Sequence, residues 1–226
     1  PDLRLAQGHQ DPLLHPPASG RPDRNRGRRL RLLHAVRGRG CESRVLGVNG
    51  WDESQPYRVF VDESEVSGYS ITAVYVRPQD VHKIRTVLRK HLRSGQRSIH
   101  FTKERPQVRK AVIADIAKMS IKAELYKVAE KHREARSICL QALAGTLRDG
   151  KCQQLVLDQN DSVCQSDRRV LRSALGPGWS GTYDHLHDHQ EALLWLPDAI
   201  SWCWNKGGSW RARLSDIDLK IVPLAR

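Results

Sequence analysis

The chain has 226 residues, a length that accommodates one domain with an extension, and its 38 Lys and Arg against 25 Asp and Glu give a net charge of +13. A basic surface favours polyanionic partners because phosphate binding releases counterions, with solvated charge for solubility as the equal alternative. The five cysteines include no Cys-x-x-Cys pair, and no apolar run approaches the roughly 18 residues that span a bilayer. These features exclude a disulfide framework, a thiolate zinc module and a membrane span, and we expect a soluble protein of the reducing cytoplasm.

Residues 1–50 differ in composition from the rest of the chain. They carry ten Arg against four acidic residues, together with Pro-Pro and Gly-Arg-Gly, and show little apolar periodicity. Such a segment cannot bury enough apolar area to offset its chain entropy. We interpret it as a basic, disordered N-terminal extension or an artefactual upstream extension, with a nucleic-acid-binding arm as the sharper alternative. Residues 51–226 are expected to form the folded domain.

The predicted elements alternate between strands and helices. Apolar and β-branched runs predict strands over residues 57–62, 69–76, 98–101, 121–128, 153–158 and 217–224. Helical spacing of apolar residues predicts helices over residues 80–92, 104–119, 130–147 and 189–204. The polar stretch that follows residue 158 has no predicted element. Strands first and then alternation with helices indicate an α/β fold with a mixed sheet flanked by helices.

Two of the predicted strands end in an aspartate after three apolar residues. Val59-Phe-Val-Asp62 and Leu155-Val-Leu-Asp158 each place a carboxylate at the C-terminal end of a strand, where ligands of open α/β sheets collect. If the strands are neighbours, the two anions repel, so one must be protonated or a cation must lie between them. Oxygen ligands without thiolates favour Mg²⁺ or Mn²⁺ over Zn²⁺. The alternative is that each aspartate only caps the loop that follows it.

A third aspartate lies in the Trp-rich helix. Asp198 is flanked at helical spacing by Leu194, Trp195, Ser201 and Trp202. A carboxylate on such an apolar stripe is costly unless it finds a partner. We therefore add Asp198 to the candidate acids. The alternative is that it is the N-cap of a shorter helix, because a nearby proline either kinks the run or starts a second helix.

Four segments together carry a resemblance to a known family. They are Phe60-Val-Asp62-Glu63-Ser64, His100-Phe-x-x-Glu104, Leu155-Val-Leu-Asp158 and Leu193-Leu-Trp-Leu-Pro-Asp198-Ala. In order and spacing they resemble the domain-of-unknown-function 3800 family, whose members are similar to ribonuclease H in fold. The resemblance covers residues from about 57 to the C-terminus, and the sequence departs from the pattern at Glu65, where a Gly is usual, and at Pro197.

The resemblance implies a ribonuclease H-like domain with a set of catalytic acids. It implies that Asp62, Asp158 and Asp198 bind metal and that Glu104, near the start of a helix, is the fourth catalytic acid. Sites of this kind hold two metals on carboxylates and cleave phosphodiesters by in-line displacement. We therefore predict a phosphodiesterase, dependent on Mg²⁺ or Mn²⁺, that acts on nucleic acid. The alternatives are a non-catalytic nucleic-acid-binding or protein-binding module with the same fold and a hydrolase of another phosphoester.

Two further patterns compete with this interpretation. His185, His187 and His189 alternate, so on a strand they would share one face and could bind Zn²⁺. Five of the six tryptophans lie between residues 179 and 210. Stacking on single-stranded bases is one use of such aromatics, but core packing is the commoner one, and we favour it for Trp195, Trp202 and Trp204 and, less strongly, for Trp179 and Trp210.

Overall fold

Six strands form one mixed sheet in the computed structural model, which describes residues 51–225. Their order across the sheet is β5-β4-β1-β2-β3-β6. The strands are β1 (Tyr57–Ser64), β2 (Tyr69–Val76), β3 (Lys122–Val128), β4 (Cys152–Asp158), β5 (Thr182–Leu186) and β6 (Asp218–Leu224). The β1–β2 and β2–β3 pairs are antiparallel, whereas β1–β4, β4–β5 and β3–β6 are parallel. The sheet therefore combines an antiparallel centre with parallel flanks.

The helices lie on both faces of this sheet. They are α1 (Val81–Arg89), α2 (Pro106–Ile116), α3 (Ala135–Thr146), α4 (Cys164–Leu175), α5 (Trp195–Lys206) and α6 (Gly208–Ala212). Alternation along each strand divides the core in two. Phe60 of β1 packs on what we call the first face, with α1, α2 and α5. Val59 and Val61 pack on the second face, with α3 and α4. The predicted α/β class, a mixed sheet flanked by helices, is confirmed.

One predicted strand is wrong. Residues 98–100 are irregular and lead into a turn of 3-10 helix, Phe101–Lys103, in place of a strand over residues 98–101. Ile99 and Phe101 are buried, so the apolar residues pack in the core without pairing to a neighbouring strand. The backbone N–H of Phe101 is hydrogen-bonded to the Asp198 carboxylate, which replaces the ladder contact that a strand would have made.

Two elements in the polar stretch were not predicted. In α4 the buried residues are Asp167, Leu171 and Leu175, and the remaining positions are mostly polar or arginine. Strand β5 is an edge strand whose residues are exposed or only partly buried. Strand β5 therefore has little apolar pattern, whereas the apolar residues of α4 lie on one side of a helix that is otherwise mostly polar.

The helix that carries Asp198 begins close to it. A turn of 3-10 helix, Ala192–Leu194, precedes α5, and Leu194 is the N-cap residue. Pro197 is the third residue of α5, within the first turn, where a missing N–H breaks no hydrogen bond of the helix. The alternative that Asp198 is an N-cap is therefore wrong, and the proline does not split the helix.

Two expectations concern the rest of the chain. The predicted extension, residues 1–50, lies outside the described residues. Within residues 51–225, no helix combines the length and the apolar character needed to cross a membrane.

Candidate active site

Asp62 and Asp158 lie side by side at the ends of two parallel strands. In the register of β1 and β4, Val61 is opposite Leu157, so the aspartates that follow them are neighbours. Because side chains alternate, both aspartates point to the first face, as Phe60 does. The strand-end pair predicted from the sequence is thus brought together by the pairing of β1 with β4.

Asp198 approaches the same place from the helix above. It lies in the first turn of α5, which packs against β1 and β2. Its Oδ2 accepts a hydrogen bond of 2.9 Å from the backbone N–H of Phe101. This contact joins residues 97 positions apart in the chain and fixes the orientation of the carboxylate.

A fourth aspartate, Asp188, was not singled out in the sequence. It follows β5, and its backbone oxygen accepts a hydrogen bond of 2.9 Å from the indole Nε1 of Trp195. One oxygen of its carboxylate, Oδ2, lies 3.1 Å from Nε2 of His100. The available signal was its place in the segment Asp184-His-Leu-His-Asp188-His, but this segment follows a strand that the pattern did not reveal.

These four aspartates line one cavity of about 210 Å³, which we call the acid cavity. Its other lining residues are Ile99, His100, Thr102, Lys103, Leu194 and Trp195. The aspartates come from β1, from β4, from the loop after β5 and from α5. Lys103 and, when protonated, His100 are the cations of the lining, so carboxylates dominate its charge.

The environment of the acid cavity makes ionisation of its carboxyl groups unfavourable. Burial raises the pKa of Asp62 well above its usual range, and the carboxylates of Asp198 and Asp158 raise it further. Burial raises the pKa of Asp158 to about 6, with Asp188 as the next contributor. Burial also raises the pKa of Asp198, although the hydrogen bond from Phe101 opposes this shift. A bound cation would relieve this repulsion.

The donors of the acid cavity suit a hard divalent cation. Carboxylate oxygens are the ligands that Mg²⁺ and Mn²⁺ prefer. Asp188 Oδ2 is a buried oxygen that makes no hydrogen bond of acceptable geometry, although it lies near His100. Within residues 51–225, however, no three His, Cys, Asp or Glu side chains already stand in position to hold an ion. The donor chemistry therefore fits the metal, and ligation would require the carboxylates to move closer together.

Glu104 has a different environment from the four aspartates. Its side chain is buried, accepts a hydrogen bond from Gln96 Nε2 and lies 3.6 Å from the guanidinium of Arg93. Among the described residues that line the acid cavity, Glu104 is not included. Its assignment as the fourth catalytic acid stays a prediction, and the fourth acid that lines the acid cavity is Asp188.

The alternating histidines do not share a strand face. His185 lies within β5, and its Nε2 is 3.2 Å from Asp167 on the second face. His187 and His189 lie beyond the end of the strand, where their rings stack with centroids 5.2 Å apart. The zinc alternative required all three on one strand face, so its geometric basis is wrong.

A second group of acids lies on the opposite face of the sheet. Glu63 follows Asp62 and points the other way, toward Arg136 of α3. The same guanidinium makes two hydrogen bonds, of 2.8 and 2.7 Å, to the buried carboxylate of Asp167 in α4. Arg136 also donates to the hydroxyl of Tyr69, and His185 completes the set. We call these five residues the Arg136 network.

Comparison with known proteins gives a similarity in fold. The chain is similar to a ribonuclease HII whose structure was solved in complex with PCNA from Archaeoglobus fulgidus, with 17% sequence identity and a TM-score of 0.47. The match covers 66% of this chain and 73% of that chain. No protein-family model and no curated protein matches the chain.

Proposed function

We propose that the protein is a phosphodiesterase, dependent on a divalent metal, that acts on nucleic acid. The observation that carries the proposal is the convergence of Asp62, Asp158, Asp188 and Asp198 on one cavity. Four carboxylates held close together destabilise a fold unless a ligand or a proton compensates them. Strongly perturbed acids in a cavity are typical of functional sites.

In this proposal the four aspartates hold Mg²⁺ or Mn²⁺. The metal would supply an activated water and charge stabilisation for the leaving oxygen of the phosphodiester. Asp198 is oriented by Phe101 and Asp62 by its hydrogen bond of 2.7 Å from the backbone N–H of Glu63, so each carboxylate has a second oxygen for a ligand. His100, half-exposed beside Asp188, would give a proton from Nε2 to the leaving oxygen as the P–O bond breaks.

The substrate class rests on charge and on the cavity. The net charge of +13 favours a polyanion, and Lys103 at the acid cavity offers one contact to a phosphate. Membership of the domain-of-unknown-function 3800 family is part of the same proposal. A reducing cytoplasmic location also belongs to it, supported by the free state of the four cysteines within residues 51–225.

One observation favours a second candidate function. No three potential ligands within residues 51–225 stand ready for a metal, which fits a nucleic-acid-binding module that keeps the fold without the chemistry. The two candidates differ in whether added metal produces cleavage. A hydrolase of another phosphoester would instead cleave a small phosphodiester but not a polynucleotide.

The test is a cleavage assay with Mn²⁺ or Mg²⁺ on labelled single-stranded and duplex DNA and RNA, and on bis(p-nitrophenyl) phosphate. We expect cleavage of a polynucleotide by the wild type, and a loss of at least about a hundredfold in Asp62→Asn and Asp188→Asn, because each removes a charge of the acid cavity. Asp184→Asn is the matched control, since Asp184 is exposed on β5 and pairs with Gln154.

Glu104→Gln decides between the two candidates for the fourth acid. If activity falls with Asp188→Asn and not with Glu104→Gln, Asp188 has that role; the reverse result would restore Glu104. Activity that survives Asp62→Asn, or that persists in EDTA, would contradict the proposed function.

A further inference from the structure

A second depression, which we call the flanking groove, lies next to the acid cavity. It has a volume of about 240 Å³ and is lined by Glu63, Ser64, Val66, Thr102, Asp198, Ser201, Trp202, Asn205 and Lys206. Asp198 and Thr102 line both the flanking groove and the acid cavity. A polymer with one residue at the acids would therefore reach the flanking groove with an adjacent residue.

Two apolar side chains, Val66 and Trp202, belong to the otherwise polar lining of the flanking groove. Val66 belongs to the loop between β1 and β2 and is 56% exposed, an unusual exposure for a large apolar residue of the described chain. Trp202 of α5 contributes to the lining from a different element. A flat, apolar group between this loop and the helix would cover both side chains. Nucleobases have this shape and polarity.

The ring of Trp202 is held in place by its neighbours. The guanidinium of Arg109 lies 4.3 Å from the ring centroid, and the rings of Phe101 and Trp210 make edge contacts at 5.7 and 5.1 Å. Arg109 is itself fixed by hydrogen bonds to the backbone oxygens of Phe101 and Thr102. A ring ordered in advance loses little entropy when a ligand packs against it.

Polar groups at the end of α5 complete the flanking groove. The amide Nδ2 of Asn205 donates to Ser64 Oγ at 3.0 Å, which orients the side chain and leaves its carbonyl oxygen as an acceptor. Lys206, the last residue of α5, is exposed and lines the flanking groove. Beyond it, Arg211 covers Trp204 at 4.3 Å and Arg213 lies 5.6 Å from the ring of Trp210. Aromatic rings interleaved with cations are typical of surfaces that bind single-stranded nucleic acid.

We propose that the flanking groove binds an unpaired nucleotide, next to the scissile phosphate, so that the protein acts on single-stranded nucleic acid. The base would lie between Val66 and Trp202 with its edge at Asn205, and Lys206 would contact a phosphate. A paired base could not enter, because in a duplex its faces are covered by neighbouring bases. The position relative to the scissile phosphate rests on the proposed function, whereas the preference for single strands does not.

The test measures binding without cleavage. The full chain in EDTA is titrated into fluorescein-labelled 12-mers, as single-stranded DNA, single-stranded RNA and duplex DNA, and anisotropy is recorded at several salt concentrations. We expect tighter binding of the single strands. Trp202→Leu should weaken it by about tenfold, the effect of losing one base contact. Val66→Ser should weaken it less and in the same direction.

Charge reversal at Lys206 should change the salt dependence of single-strand binding. Lys206→Glu should reduce the slope of log K against log salt by about 0.7, the contribution of one phosphate contact to a single strand. Lys83→Glu is the matched control because Lys83 is exposed on α1 and lines a separate cavity that shares no residue with the flanking groove. Thermal melts of each variant check its folding, and Val66→Ser, a surface change, keeps the test valid if Trp202→Leu unfolds.

The possible outcomes separate this inference from the proposed function. Unchanged single-strand affinity in Val66→Ser and Lys206→Glu, binding of duplex alone, or no binding would overturn the inference, even if metal-dependent cleavage is present. Binding of single strands that depends on the flanking groove, in a protein that never cleaves, would support the inference and reject the proposed function.

Discussion

The acid cavity and the Arg136 network lie on opposite faces of the sheet, and β1 supplies one of two adjacent residues to each. The two groups of acids differ in their electrostatics. Asp62 faces the acid cavity, where burial and neighbouring carboxylates raise its pKa. Glu63 faces the Arg136 network, in which two carboxylates share one guanidinium. Burial alone would raise the pKa of Asp167, but its hydrogen bonds to Arg136 and His185 outweigh burial and lower it. The carboxylates of the acid cavity therefore repel one another, whereas the Arg136 guanidinium balances the carboxylates of the Arg136 network.

This difference supports the proposal that the acid cavity is functional and the Arg136 network structural. The charges of a compensated buried ion pair are balanced within the protein, and removing one partner of such a pair is strongly destabilising. The acids of the acid cavity, by contrast, cost stability in the absence of a ligand, which supports the proposal that they have a role outside folding. The two groups should also respond to pH with opposite sign. Stability from the Arg136 network is lost as the pH falls, and stability in the acid cavity is lost as the pH rises.

The largest effect is expected from removing the cation of the Arg136 network. Arg136→Met removes the guanidinium that Glu63 and Asp167 share, and Asp167, which is only 1% exposed, keeps only its contact with His185. Breaking a buried ion pair costs about 3–5 kcal/mol, which corresponds to a fall in Tm on the order of 10 °C. Arg133→Met, an exposed control three residues earlier, should change stability by less than about 0.5 kcal/mol.

The loss of stability caused by Arg136→Met should be smaller at acidic pH. The lowered pKa of Asp167 means that its contribution is present at neutral pH and disappears as the pH falls through that pKa. Melts of wild type and Arg136→Met at pH 7 and at about pH 2.5, below the ordinary aspartate pKa of 3.8, measure this. An equal loss of Tm at both pH values would show that packing of the arginine stem, and not charge, stabilises the network.

In the acid cavity, removing a charged residue should instead raise the stability of the apo protein, by a smaller amount. The pKa of Asp158 is raised from 3.8 to about 6, so between these values the folded protein binds more protons than the unfolded chain. Its stability therefore falls as the pH rises through this window. Asp158→Asn removes the effect, and in EDTA its Tm should rise relative to wild type between pH 4 and pH 7.

The size of this shift is limited by solvent. Because Asp158 is partly exposed and its charge is screened, we expect about 1 kcal/mol, or roughly 2–4 °C. Asp184→Asn should follow the wild type at every pH. A Tm difference between Asp158→Asn and wild type that is independent of pH would show that burial and the neighbouring carboxylates do not raise the pKa of Asp158 in the apo protein.

The sequence predicted the parts of the site that local pattern encodes. Strands β1 and β4 have long apolar runs that end in Asp62 and Asp158, so the strands and their acids could be recognised without a structure. Asp198 was recognisable because a carboxylate is costly on an apolar helix face. The fold class followed from the alternation of strands and helices.

The remaining parts depend on tertiary contacts that leave no local pattern. Strand β5 lies at the sheet edge and has little apolar periodicity, so Asp188, which follows it, was missed. The contact between Asp198 and the backbone of Phe101 joins residues 97 positions apart in the chain, so no local pattern predicts it. Phe101 also lies at the end of an irregular segment for which a strand was predicted. Glu104 has the spacing that the resemblance requires, yet only the packed structure shows its contact with Gln96.

The central claim is that Asp62, Asp158, Asp188 and Asp198 bind a divalent metal together, and the stability response to Mn²⁺ tests it most directly. Thermal melts of wild type, Asp198→Asn and the control Asp184→Asn are recorded in EDTA and in Mn²⁺ at a hundredfold excess over the Kd. Wild type and Asp184→Asn should gain about 2.7 kcal/mol, or roughly 5–10 °C, because the ligand binds only the folded state. Asp198→Asn should lose most of this gain, since the carboxamide keeps the shape of the side chain and removes its charge. An equal Mn²⁺ response in wild type and Asp198→Asn, or no response in wild type, would contradict the claim.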